Sequence, residues 1–193
     1  MTLYKRNQTS GARRLTVGAG AAYVAGMNSL PVVPAGPGLA SVALDAHEVA
    51  PNLWVGSQPP KSPLVEQHGF KLLVLCAQEY QPRSKEFGFR GPDIVVAHAP
   101  FDDSHRFTGL MRDTAVAAGR DVAHQLAGGK KVLVTCHAGI NRSALVAGIA
   151  MLRLYPKMTA DRVVGMIRAR RMRQCLSNGV FVQFLYELER VRR

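Results

Sequence analysis

The chemistry in this chain concentrates in Thr135-Cys136-His137-Ala138-Gly139-Ile140-Asn141-Arg142-Ser143, where a cysteine precedes an arginine by six positions with a glycine midway. The apolar run before it reads as a strand and the apolar run after it as a helix. The turn between them therefore collects the backbone N–H groups of His137, Ala138, Gly139, Ile140 and Asn141 around one point at a helix N-terminus, which is a cradle for an anion. Arg142 adds a bidentate, permanently charged fork to the same anion. Cys136 lies at the base of the turn, where the helix dipole and the guanidinium both stabilise a thiolate. A thiolate aimed at a bound phosphate is a nucleophile, and the reaction it implies is phosphoryl transfer through a cysteinyl phosphate. Gly139 suits a turn that needs a residue without Cβ close to the anion.

Such a reaction also needs a proton donor for the leaving oxygen. Pro100-Phe101-Asp102-Asp103-Ser104-His105 offers two adjacent carboxylates on a loop directly after a strand. A loop of this kind can close over a bound phosphate. Neighbouring side chains in an extended loop point opposite ways, so only one of the two carboxylates is expected to reach the pocket.

Positioning these groups takes a sheet. Leu53-Trp54-Val55-Gly56 reads as a short strand, and residues 71–77, 93–99 and 131–136 are apolar runs rich in β-branched residues. Runs of that kind predict strands buried on both faces. Leu110, Met111, Ala115, Ala118, Val122 and Leu126 recur at three- and four-residue steps, a helical face that Gly128-Gly129 ends. Helices are expected at 143–154, 159–171 and 178–192, with Pro156 separating the first two and Thr159 with Asp161 starting the second. Strands alternating with helices, followed by a helical run, predict an α/β fold with a mostly parallel central sheet flanked by helices.

Composition narrows the setting. The 193 residues are 47% hydrophobic and 20% charged, enough apolar material for one packed domain. The net charge of +12 is unevenly placed. Residues 1–44 hold four basic and no acidic side chains, residues 45–152 hold eleven and ten, and residues 153–193 hold ten and three. The excess favours anionic partners without separating nucleic acid from phosphorylated ligands. Three cysteines are too few for a disulfide framework and suit a reducing compartment, so a cytoplasmic location is expected. No apolar run is long enough to span a membrane. Arg13-Arg14 has a faint likeness to a twin-arginine export signal, but the Gly/Ala-rich stretch that follows lacks a Leu-rich segment and a cleavage pattern. Residues 1–44 are therefore expected to form a flexible basic tail and residues 45–193 the catalytic domain.

Several further residues have a bland reading beside a chemical one. Cys76 is expected to be a buried structural thiol, and Cys175 an ordinary packed or surface thiol. His98 is expected in the core. His105 and Arg106 follow the two carboxylates and stand where they could touch substrate. Arg168, Arg170, Arg171 and Arg173 form the densest positive cluster, either on a solvated face or bordering the pocket.

On the Cys136-x5-Arg142-Ser143 loop the chain resembles the cysteine-dependent protein tyrosine phosphatases, and among them the small dual-specificity phosphatases. The resemblance covers about residues 49–190. The segment from Val49 to Ser57 is similar to the family's opening strand, Ala99 to Ser104 to its general-acid loop, and Leu176 to Leu185 to its final helix. It implies that Cys136 attacks phosphorus, that Arg142 and the amides of residues 137–141 hold the phosphate oxygens, and that Ser143 stabilises the leaving thiolate. In the resembling phosphatases a small polar residue follows the acid directly, which favours Asp103, before Ser104, over Asp102. The family usually has histidine immediately before the cysteine; here it is Thr135, with His137 after.

The resemblance implies a phosphotyrosine-phosphatase-like fold, no metal or organic cofactor, and phosphorylated protein as partner: phosphotyrosine first, phosphoserine and phosphothreonine second. Asn141-Arg142-Ser143 and the basic charge also resemble RNA 5′-triphosphatases of the same superfamily, the second reading. A phosphate-binding module without turnover is the third, and Thr135 is its only foothold.

Overall fold

The structure, a computed structural model, describes residues 43–192. The expected tail lies outside them for residues 1–42, while Leu44 is buried beside Trp54 in the packed region.

Among the described residues five strands form one sheet: β1 (Ala46–Ala50), β2 (Leu53–Gly56), β3 (Leu72–Ala77), β4 (Val95–Phe101) and β5 (Val132–Thr135), in the order β1-β2-β5-β3-β4. Among these described strands only the β1–β2 pair is antiparallel. The helices are α1 (Leu64–Gln67), α2 (Gly109–Ala127), α3 (Arg142–Leu154), α4 (Ala160–Arg170) and α5 (Gly179–Val191), with one 3₁₀ turn at Ser84–Phe87. The α/β class and the mostly parallel sheet are as the sequence predicts. None of the helices among the described residues is long and apolar enough to cross a membrane.

Alternation along the strands divides the core in two. Leu72, Val74 and Cys76 of β3 and Val132, Val134 and Cys136 along β5 belong to the cluster shared with α2, α3 and α5. Leu73, Leu75 and Leu133 point the other way, into a smaller cluster with Trp54, Val65, Phe70 and Phe87. Helix α3 lies at the centre of the larger cluster, buried from Arg142 to Leu152. It crosses α2 closely at Gly119, where an added Cβ would stand 2.7 Å from the Ile149 Cβ.

Two elements differ from the sequence reading. Strand β1 carries His47 and Glu48 and lacks an apolar run, so nothing in it marks a strand. It forms because a tight turn folds it onto β2: Pro51 fixes one φ, Asn52 takes φ 61, and the Glu48 carboxylate accepts from the Asn52 N–H at 2.8 Å. Strand β4, expected to be buried on both faces over 93–99, is instead the edge of the sheet. Val95 is 58% exposed, and only Ala99 and Phe101 are buried within the strand. Pro100, which has no N–H to give a ladder, is accommodated because this strand has a neighbour on one side only.

Strand β5 is central, and β2, β3 and β4 run parallel to it, so their C-terminal ends open on one side of the sheet. In open α/β sheets that side holds the ligand crevice.

Candidate active site

The loop from Cys136 to Arg142 leaves β5 at that edge. Thr135, 1% exposed, donates through Oγ1 to the Val74 carbonyl at 3.1 Å, so its side chain is satisfied by the neighbouring strand. The Cys136 N–H donates to the Gly56 carbonyl at 3.3 Å. Beyond it, three carbonyls of the loop are held from outside. That of His137 accepts from the Gln58 N–H at 3.1 Å, and that of Ile140 from the Leu176 N–H at 3.0 Å. That of Gly139 accepts from Arg171 Nε at 3.4 Å and lies 3.6 Å from Cys175 Sγ. In a planar trans peptide the N–H points opposite to the carbonyl. Holding these three carbonyls outward therefore turns the N–H groups of Ala138, Ile140 and Asn141 inward. None of the N–H groups of residues 137–142 donates to another group among the described residues. Gly139 is at φ 68, and a Cβ there would come within 2.6 Å of the Gly56 backbone. The loop is shaped to donate to an anion.

Cys136 Sγ lies 3.2 Å from Ser143 Oγ, both side chains buried. The Arg142 guanidinium, 8% exposed, is gripped by Glu79: Nη1 donates to Oε2 at 2.7 Å and Nη2 to Oε1 at 2.8 Å. Nη1 also reaches the Phe101 carbonyl at 3.4 Å. This leaves Nε buried and without a partner among the described residues, a donor to spare beside the cradle. A phosphate oxygen could accept from that donor and from the inward amides.

The Arg142 guanidinium hydrogen-bonded to Glu79 pulls the Glu79 carboxyl down to about 2 from its ordinary 4.5, and Glu79 in turn raises Arg142. A depressed carboxyl stabilises the fold above its unfolded value and ceases to do so as pH falls through the folded value. The stability difference between wild type and Glu79→Gln, measured by urea unfolding, is therefore expected to be complete at pH 6. It should shrink steadily from pH 4.5 towards pH 2. A difference that does not change with pH would show that the ion pair contributes nothing through charge.

Of the two adjacent carboxylates, Asp103 faces the loop. Its Oδ2 accepts from Asn141 Nδ2 at 3.1 Å and its Oδ1 from Asn178 Nδ2 at 3.0 Å. Asn178 also donates to the Ser104 carbonyl at 3.1 Å, and the Asn141 Oδ1 accepts from Ser177 Oγ and from the Asn178 N–H. Asp102 is exposed and has no hydrogen bond among the described residues. His137 is exposed and turned outward, with Nδ1 3.8 Å from Glu79 Oε1. Ala138 is exposed and Ile140 half-buried at the mouth.

His98, expected in the core, is exposed on the edge strand and hydrogen-bonded through Nδ1 to Gln81 at 2.8 Å. His105 and Arg106 are exposed beyond Asp103. Cys76 and Cys175 are both buried, and burial pushes both thiols up. The arginine cluster does not share one face. Arg171 is buried, and Arg168 donates to the carbonyls of Cys175 and Leu176 at 3.0 Å each; only Arg173 is exposed without a hydrogen bond among the described residues. Leu176 sits at φ 57, a strained position for a residue with a Cβ, and its N–H and carbonyl are both committed, to Ile140 and Arg168.

Glu79 is a site residue that the sequence reading passed over. Its one local signal is an acid two residues past the end of a buried parallel strand, at the crevice side of the sheet.

A family model for the catalytic domain of dual specificity phosphatases matches residues 53–191. No curated protein matches the chain significantly in sequence. Among solved structures, human DUSP28 is 20% identical over 78% of this chain and 96% of that one, with a TM-score of 0.63. Tk-PTP in its active form is 21% identical over 76% and 97%, with a TM-score of 0.63. The human tyrosine phosphatase-like serine/threonine/tyrosine-interacting protein is 19% identical over 76% and 96%, with a TM-score of 0.62. At these identities the likeness is one of fold.

Proposed function

The chain belongs to the dual-specificity phosphatase family, and on that premise we propose that it hydrolyses phosphate monoesters on proteins through a cysteinyl phosphate, phosphotyrosine first and phosphoserine or phosphothreonine second. The observation that carries this reading is the combination at one point of Cys136 Sγ, inward amides and a spare buried Arg142 Nε. A binding module has no need of a thiol at the base of its anion site, nor of a hydroxyl 3.2 Å from that thiol.

The steps balance within the chain's own groups and water. The Cys136 thiolate attacks phosphorus while Arg142 and the loop amides hold the non-bridging oxygens. The ester oxygen departs with a proton from the Asp103 carboxyl, leaving cysteinyl phosphate and Asp103 carboxylate. Water then attacks phosphorus, giving its proton to Asp103, and the thiolate leaves with the Ser143 hydroxyl donating to it. The clamp from Asn141 and Asn178 holds Asp103 over the loop.

Asp103→Asn is expected to lower turnover at least about tenfold on a substrate with a poor leaving group and to flatten the basic limb of the pH profile. The loss on an activated aryl phosphate should be smaller, and Asp102→Asn should do much less on both. Reversed effects would move the acid by one residue.

The test of the function itself is a phosphate-release panel with a phosphotyrosine peptide, a phosphothreonine peptide, triphosphate-ended RNA and a phosphoinositide. Release from the peptides supports the proposal. Release from RNA alone would replace it with the triphosphatase reading, and no release from any substrate would leave a binding module.

A further inference from the structure

A buried charge lies behind the phosphate-binding loop and takes no part in the chemistry above. Arg171, at the end of α4, has a side chain 0% exposed. Its Nη1 and Nη2 donate to the two oxygens of Asp45 at 2.5 Å each, Nη1 lies 2.7 Å from His47 Nδ1, and Nε reaches the Gly139 carbonyl at 3.4 Å. Asp45 precedes β1, outside the segment matched by the family model, and its carboxylate is half exposed. The Arg171 hydrogen bonds hold the Asp45 carboxyl below its ordinary value, while burial and the neighbouring guanidinium lower His47, whose Nδ1 is then free to accept.

We propose that Asp45 and Arg171 are a positioning pair that fixes the Gly139–Ile140 peptide with its N–H turned into the anion cradle. This rests on the reading of the 136–142 loop as a phosphate site. A fully buried guanidinium needs a carboxylate and satisfied donors to be tolerated. Asp45 supplies the first, and the Gly139 carbonyl takes the Nε–H, which neither Asp45 nor His47 reaches. Planarity carries the constraint through the peptide: the carbonyl held towards Arg171 obliges the Ile140 N–H to point the other way. Glycine at 139 is the residue whose peptide turns most freely, so this is where the loop needs an external hold. The backbone around it is already stacked without slack. A Cβ on Gly139 would meet Gly56, and a Cβ on Gly56 would stand 2.7 Å from the Asp45 carbonyl. The Asp45 carbonyl also accepts from the Ser57 N–H at 3.0 Å, tying the lead-in of β1 to the end of β2 beside the loop. Cys175 Sγ is a second and weaker donor to the Gly139 carbonyl, so loss of Arg171 frees the peptide without leaving it unopposed.

The test compares wild type, Asp45→Ala, Arg171→Met and Arg173→Met by two measurements that need no turnover. One is the affinity for inorganic phosphate by calorimetry. The other is the ratio of Cys136 alkylation rates by iodoacetate and iodoacetamide, read on the Cys136 peptide by mass spectrometry. Iodoacetate docks its carboxylate in the cradle and the amide does not, so the ratio reports inward amides rather than overall stability. Asp45→Ala and Arg171→Met are expected to bind phosphate about tenfold more weakly, with the ratio falling in parallel, since each leaves one oriented donor unfixed. Arg173→Met removes a neighbouring charge that does not touch the loop and should stay within about twofold.

A folded Asp45→Ala protein with wild-type phosphate affinity and alkylation ratio would overturn the proposal, as would an Arg173→Met protein that loses as much. Should Arg171→Met fail to fold, the half-exposed Asp45 still decides. Wild type that binds phosphate but hydrolyses nothing in the panel would defeat the proposed function and leave this test standing; wild type that binds no phosphate would defeat both.

Discussion

Cys136→Ser is expected to abolish turnover, by more than about 10⁴-fold, while phosphate affinity stays close to wild type. The two outcomes separate because different groups produce them. Affinity comes from the inward amides of Ala138, Ile140 and Asn141 and from Arg142, none of which the substitution alters. Turnover requires an anion at the base of the loop that can attack phosphorus and later leave. A serine hydroxyl in the same place stays protonated at neutral pH and would make a far poorer leaving group from phosphorus than a thiolate. The exchange is also small in volume, in a position already buried against Ser143, so the fold should persist. Steady-state rates with an aryl phosphate, set beside calorimetric phosphate binding, check both halves. Turnover within tenfold of wild type would mean that the nucleophile is not Cys136. Loss of phosphate binding along with turnover would mean that the thiol shapes the cradle as well as serving it.

Arg142→Lys is expected to lower kcat/KM by about 10³-fold, although charge is conserved. The guanidinium serves two directions at once: both Nη atoms hold Glu79, and Nε is the spare donor at the cradle. An ammonium is a single point with a shorter reach. Placed against Glu79, it leaves the phosphate oxygens without the charged donor; placed against phosphate, it leaves Glu79 without its partner. The loss should fall on kcat as well as KM, because the donor is most needed when charge builds on the transferring phosphoryl group. Kinetics with one activated and one poor leaving group, with melting temperature as a check on folding, tests this. A variant within tenfold of wild type would show that charge alone, without the fork, suffices.

Both predictions concern residues that the sequence names without help, and the reason is their locality. Cys136, Arg142 and Ser143 fall within one strand–turn–helix, so their spacing along the chain nearly determines their spacing in space. The apolar runs likewise announce β3, β5 and α3, because a residue buried on every side must be apolar wherever the rest of the chain goes. What the tertiary structure alone decided joins distant parts of the chain. Glu79 meets Arg142 across 63 positions, Asn178 meets Asp103 across 75, and Asp45 meets Arg171 across 126. No local pattern distinguishes Arg171, buried and braced against the loop, from Arg173 two residues on, which is exposed. The strand status of β1 and the edge position of β4 are of the same kind. A strand is completed by its neighbours, and the neighbours are chosen by sheet order, which periodicity along a single segment does not contain. The sequence therefore determined where the thiol, the arginine and the turn between them stand. Packing decided which charges face that cradle, because whether a charge is buried depends on what folds over it rather than on the residues beside it.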